Sequence, residues 1–179
     1  MCNNQTIVQP PIRILAGLLL AAAALLAQFQ YDTKQPRYDL RGDSHANRRR
    51  GSRMRFTGPR GGRVNFILVK PQKATPPFPG VIFQHGGGQS MTNYLSEALI
   101  LARAGVVSMI PDAPARGEGK NPEINTMKLE AASDFQAEIV ITERRVLDLL
   151  LQQPGIDPRR IAYVGHSYGG VAGVVLTGV

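Results

Sequence analysis

The chain has 179 residues, 43% of them hydrophobic and 19% charged, which allows one domain with a sizeable core and excludes a disordered or collagen-like chain. Its single cysteine, Cys2, excludes an intrachain disulfide and a cysteine metal cluster, and nothing in the sequence points to a metal or organic cofactor. The net charge of +8 is unevenly placed: residues 1–73 hold 13 Lys/Arg against 3 Asp/Glu, whereas residues 74–179 hold 8 against 10. Arg48-Arg49-Arg50, with Arg53, Arg55, Arg60 and Arg63 following, could touch nucleic acid or anionic lipid. No aromatic residue interleaves with these arginines before Phe56 and no nucleic-acid motif accompanies them, so a solvated basic linker is expected and no nucleic-acid partner is assigned.

In chain order, residues 1–13 are polar and end in Arg13, and Ile14 to Ala27 follow without a charge. This stretch suits the apolar region of a signal peptide and falls short of the ~20 residues that span a bilayer, so export to the periplasm or medium is expected. An uncleaved N-terminal anchor is the alternative, and the only membrane contact expected. Residues 28–52 are polar, basic and without periodicity, which reads as a linker, and residues 53–179 form the domain. Arg53 to Phe56 and Val64 to Val69 read as two strands joined by the turn chemistry of Gly58-Pro59-Arg60-Gly61-Gly62, hence a hairpin. After a proline-rich connection, Gly80 to Gln84 is a short apolar run of the kind found in a buried parallel strand.

That strand runs into His85-Gly86-Gly87-Gly88-Gln89-Ser90. A polyglycine loop at a strand's carboxyl end can aim backbone N–H groups at an anion, as an oxyanion hole requires. A phosphate loop is excluded, because the Lys-Ser/Thr that completes one is missing. Thr92 to Arg103 carries a helical apolar face ended by Gly105, and Val106 to Pro111 is a further strand leading into the loop that begins at Asp112. Ser133 is expected to cap the next helix, with Gln136 completing a capping box. Phe135, Ile139, Thr142, Val146, Leu149 and Leu150 share one face of that helix, and Glu138, Glu143, Arg145 and Asp148 are expected largely elsewhere. Pro154-Gly155 stops it, and Asp157-Pro158 turns the chain into the last strand.

Arg160 to Gly170 is an apolar run that breaks into Gly165-His166-Ser167-Tyr168-Gly169 and then into small residues, which reads as strand, sharp turn and helix. Gly165 and Gly169 let strand and helix approach with no Cβ between them, and Ser167 projects from the apex as a candidate nucleophile. Tyr168, the next residue, offers a backbone N–H to a developing oxyanion. The alternation of strands and helices predicts an α/β fold, a mostly parallel sheet with helices on both faces and its ligands at the carboxyl ends of the strands.

With both strand-end loops in one sheet, the chain resembles the α/β-hydrolase superfamily, nearest its dienelactone-hydrolase-like and prolyl-oligopeptidase-like esterase branch. The resemblance covers residues 53–179. It rests on Phe78 to Gly87, on Pro111-Asp112 with Arg116-Gly117-Glu118-Gly119, and on Gly155 to Arg160 leading to Gly165-His166-Ser167-Tyr168-Gly169-Gly170. It implies a serine hydrolase acting on a small ester or related acyl compound, with Ser167 as nucleophile, the N–H groups of Gly87 and Tyr168 as oxyanion hole, and His85 and Asp112 ordering the loops. Dienelactone hydrolases carry cysteine where this chain has Ser167, so diene-lactone cleavage is not expected.

The family's chain order is serine, acid, histidine, and only Val171 to Val179 follow the glycines here. The three histidines are His45 in the linker, His85 in the glycine loop and His166 beside the serine; none is placed as a base, so the triad acid and base are expected beyond Val179 and the fold is expected to be incomplete at that end. The 179 residues by themselves are then expected to turn over little substrate. A peptidase or acyltransferase of the same fold, a non-catalytic hydrolase-fold binding protein and a basic nucleic-acid module are the alternatives. Substrate identity and oligomeric state have no signal in the sequence.

Overall fold

The structure, a computed structural model, describes residues 51–58, 61–113 and 129–178 and a few positions between 23 and 30. Residues 31–179 form one compact unit and residues 1–30 another. Most of the expected leader and of the expected linker, with His45, therefore lie outside the described residues. Among those that are described, no helix is long and apolar enough to cross a membrane.

Five strands form one sheet. Strands β1 (Ser52–Thr57) and β2 (Arg63–Val69) pair antiparallel as the expected hairpin, with Thr57 opposite Arg63 and Arg53 opposite Ile67. Strand β3 (Phe78–Gln84) pairs in parallel with β4 (Val107–Pro111) on one side and with β5 (Ile156–Gly165) on the other. Strand β2 adds antiparallel to β4, so the order is β1-β2-β4-β3-β5 and the sheet is mixed.

Among the described residues three helices cover it. Helix α1 (Leu95–Arg103) lies on the face formed by Ile67, Val69, Val81, Phe83 and Ile110, and Ala98 is buried against them. Helix α2 (Leu129–Leu151) lies on the other, where Val146, Leu149 and Leu150 pack with Phe66, Leu68, Ile82 and Met109. Helix α3 (Tyr168–Leu176) packs on β5 and α2. Consecutive residues of β2 and β3 alternate between these two cores, as a pleated strand buried on both faces must. Because β4 and β5 flank β3, the chain reverses direction across β3. The loops leaving β3 and β5 go to helices on opposite faces, which opens a crevice between their carboxyl ends.

Three expectations need correction. Helix α1 begins at Leu95 and not at Thr92, because Ser90, Thr92 and Asn93 hydrogen-bond one another in a preceding turn. Helix α2 begins at Leu129, so Ser133 and Gln136 lie inside it and form no capping box; Leu, Glu and two Ala residues at 129–132 are strong helix formers and carry the helix one turn further back. Glu143, expected off the apolar face of that helix, is nonetheless only 1% exposed, because the packing of α3 against α2 buries a second side. The bend at Asp157-Pro158 falls within β5: Phe78 faces Ile156 but Gly80 faces Ile161, so residues 157–160 bulge. Asp157 holds the bulge by accepting from the Arg159 N–H and from Arg160 Nε, each at 3.0 Å. Arg160 in turn donates to the Pro77 carbonyl at 2.7 Å.

Candidate active site

At the end of β5 the backbone turns sharply, and Ser167 has φ 54 and ψ −123. It is the one non-glycine residue with positive φ among the described residues. This strained conformation is stable only where the surroundings over-determine it, and they do. His166 N–H donates to the Gln84 carbonyl at 3.1 Å, Gly169 N–H to the His166 carbonyl at 3.0 Å, and Val171 N–H to the Ser167 carbonyl at 3.1 Å. Both flanking glycines are required by close approach. A Cβ on Gly165 would meet the Gly169 carbonyl group and, at 2.8 Å, the Gly170 nitrogen; one on Gly169 would lie 2.6 Å from the Gln84 carbonyl oxygen.

The glycine loop lies against this turn. A Cβ on Gly86 would lie 2.9 Å from His166 Nδ1 and 3.0 Å from Ser167 Cβ, so the loop and the serine touch across the crevice between β3 and β5. Gly88 has φ 70 in the turn closed by Gln89 N–H to the Gly86 carbonyl at 3.3 Å. A turn of this kind needs positive φ at its third residue, which favours glycine there. Gly86 N–H donates to Gln89 Oε1 at 2.9 Å. Among the described residues nothing accepts from the N–H groups of Gly87 and Tyr168, nor hydrogen-bonds Ser167 Oγ. The Tyr168 N–H is free because it opens α3, where the first amides have no intrahelical acceptor.

His85 is fully buried beneath the loop. Its Nδ1 donates to the Gly86 carbonyl at 2.8 Å, and its Nε2 lies 3.0 Å from Asp112 Oδ1 and 3.3 Å from the Ala113 nitrogen. Asp112 is itself tied to the sheet, its N–H donating to the Asn65 carbonyl at 2.8 Å. These contacts join the ends of β2, β3 and β4 into one unit that carries the glycine loop. His85 is thereby occupied, and His166 is exposed beside Gly86, so neither is hydrogen-bonded to Ser167. Among the described residues no cluster of three His, Cys, Asp or Glu could hold a metal.

Sequence reasoning missed the polar layer under the turn. The Tyr163 hydroxyl donates to the Gly169 carbonyl at 2.8 Å, and its ring fills the notch left by Gly173, whose Cβ would lie 2.8 Å from Tyr163 Cδ1. Glu143 is buried close by, and burial raises its carboxyl to about 8; among the described residues its Oε2 has no hydrogen-bond partner. Burial, with a further contribution from Glu143, pushes the Tyr163 hydroxyl up; burial, then Asp112, does the same for Tyr168. Tyr168 packs its ring edge against His85 at a centroid distance of 6.2 Å, with its hydroxyl buried. The only sequence signal for Tyr163 is an aromatic residue two places before Gly165, facing small residues of the following helix. Tyr163→Phe is expected to cost about 1 kcal/mol in a denaturant titration, because it removes the hydroxyl's hydrogen bond to the Gly169 carbonyl.

No family model matches the chain, and no curated protein matches it. Solved structures do. An acetyl xylan esterase from Paenibacillus sp. R4 superposes with a TM-score of 0.62 at 22% identity, over 97% of this chain and 57% of its own. Acetyl xylan esterase 1 from Thermoanaerobacterium sp. JW/SL YS485 does so with a TM-score of 0.64 at 19% identity, over 87% and 53%. A dienelactone hydrolase-like promiscuous phosphotriesterase from metagenomic libraries gives 0.51 at 20%, over 64% and 48%. The fold is that of the α/β hydrolases. The chain spans about half the length of these structures. The mixed five-stranded sheet with its helices is the part of the α/β-hydrolase fold present here.

Proposed function

We propose that the whole protein is a serine hydrolase of the carboxylic-ester type that acts through an acyl-enzyme on Ser167. The observation that carries the reading is the Ser167 backbone at φ 54 and ψ −123, a strained conformation held at the mouth of a crevice beside a glycine loop. Ser167 Oγ attacks the acyl carbon, and the carbonyl oxygen takes up negative charge between the N–H groups of Gly87 and Tyr168. Collapse expels the alcohol and leaves the acyl-serine, which water then hydrolyses. His85 and Asp112 order the glycine loop, and Gly165 and Gly169 shape the elbow. The proton of Ser167 needs a base, and the described residues offer none in hydrogen-bond contact; on the chain order serine, acid, histidine we assign the triad acid and base to chain beyond Val179. The acetyl xylan esterases of the same fold favour a small acyl group on a carbohydrate as the ester. We further propose export directed by residues 1–27, which fractionation of cells producing the full chain checks.

A fluorophosphonate probe tests the chemistry. Ser167 of the whole protein is expected to label within minutes and Ser167→Ala not at all; the 179 residues alone are expected to label at a small fraction of that rate. Absence of labelling in the whole protein would exclude the hydrolase, and brisk labelling of the 179 residues would place the base among them.

A further inference from the structure

Between Asp43 and Glu97 the sequence has nine Lys/Arg and no Asp/Glu. The described part of this run includes the hairpin, and the hairpin sorts its cations onto one face. Met54 and Phe56 of β1, and Val64 and Phe66 of β2, belong to the core under α2. The residues between them, Arg53, Arg55, Arg63 and Asn65, therefore face the opposite side, the side that α1 covers. Helix α1 reaches only as far as Ile67 and Val69, which are buried, whereas Arg53, Arg63 and Asn65 are exposed and Arg55 is half-buried. Among the described residues none of these three arginines has an acidic partner. The one acid of α1, Glu97, accepts from Ser96 Oγ.

The position of this corner is what gives it meaning. Strand β2 runs antiparallel to β4 with Phe66 opposite Pro111, so Arg63 and Asn65 lie at the end of the sheet where β3, β4 and β5 present the glycine loop and Ser167. The Asn65 carbonyl holds Asp112, which holds His85, so the cationic corner and the glycine loop share one hydrogen-bonded support. At ~4.8 Å per strand, β1 lies about 15 Å from β3. An extended oligosaccharide spans that distance and a single acyl group does not.

Charged residues on an edge strand also discourage pairing with another chain, which would account for Arg53 and Arg55 on β1. At Arg63 strand β2 pairs with β1 alone, since its pairing with β4 begins at Phe66, so the same protection reaches that residue and only binding separates the two roles. Nucleic acid fits less well, since among the described residues the corner offers no exposed aromatic side chain on which a base could stack: Phe56 and Phe66 are buried on the other face. We propose that Arg53, Arg55, Arg63 and Asn65 form a binding site for an acidic polysaccharide, pairing with carboxylates of the chain whose ester is presented to Ser167. The link to Ser167 rests on the hydrolase reading; the binding itself does not.

The test is affinity electrophoresis of the whole protein through gels containing polygalacturonate or neutral xylan, with competition by duplex DNA and by phosphatidylserine vesicles. Retardation by polygalacturonate is expected, weakening as salt screens the arginines. Arg55→Glu with Arg63→Glu is expected to weaken binding by at least about tenfold while circular dichroism stays unchanged; Arg55→Lys with Arg63→Lys is expected to retain most of it. Ser167→Ala is expected to bind as the unaltered protein does. Equal retardation by neutral xylan, tighter binding of DNA or vesicles, or binding indifferent to the double charge reversal would each overturn the site. Binding in a protein that fails to label at Ser167 would remove the hydrolase and leave the site, and labelling without binding would do the reverse.

Discussion

Glu143→Gln is expected to stabilise the protein, and by an amount that grows with pH. The carboxyl is buried, its Oε2 has no partner among the described residues, and burial pushes it up to about 8 from the ordinary 4.5. Between those two pH values the folded chain holds a proton that the unfolded chain has lost. Unfolding therefore releases it, and stability falls as pH rises. Below about pH 4.5 both states are protonated and the substitution should make little difference. At pH 7 the deficit is on the order of 3 kcal/mol, and above pH 8 it levels off on the order of 5 kcal/mol, at 1.36 kcal/mol per unit. Glutamine keeps the shape and does not titrate. Urea titrations of both proteins at about pH 4, 6 and 8 measure this directly: the midpoints should converge at the acid end and separate upward. A difference that does not change with pH would mean that Glu143 is neutralised by a counter-charge in the folded state.

Gly165→Ala is expected to be severe, and Gly170→Ala harmless. At Gly165 the added Cβ runs into the Gly169 carbonyl group and lies 2.8 Å from the Gly170 nitrogen. Those are backbone atoms, pinned by Gly169 N–H to the His166 carbonyl and by the Tyr163 hydroxyl on the Gly169 carbonyl, so they cannot yield. A loss of about 3 kcal/mol or more follows, or failure to fold. At Gly170, five residues on in the same motif, the nearest atom to a Cβ is the Gly165 carbonyl oxygen at 3.5 Å, an ordinary contact. Alanine there should be neutral or stabilise α3 by up to about 1 kcal/mol, the helix preference for Ala over Gly. Thermal unfolding of the pair decides it: equal midpoints would mean that the elbow has more room than this geometry allows.

Much of this architecture was legible before any coordinates. The apolar run at Gly80 to Gln84, the hairpin glycines and the Gly165 to Gly169 pattern each signal a local conformation through residues that few alternatives tolerate. Helix α2 was harder to read at both ends of the argument. Its start was misplaced because Ser133 and Gln136 have the spacing of a capping box, and such a pattern carries no information about whether the residues before it also prefer helix. Its burial was misjudged because a helical face can be counted from sequence, but a second covering element, here α3, cannot.

By itself the sequence determined the strand and helix types, the strained turn at Ser167 and the glycine loop at His85 to Gly88, since each depends on backbone sterics and apolar periodicity within a few residues. Only the tertiary structure decided what faces what. It set β5 beside β3, so that Gly86 touches the serine turn; it tied His85 to Asp112 and Asn65 across three strands; and it buried Glu143 and half-buried Tyr163 under the elbow. Contacts between residues far apart in the chain depend on sheet order and register, and those follow from the packing of all the elements together, which no local stretch of residues encodes.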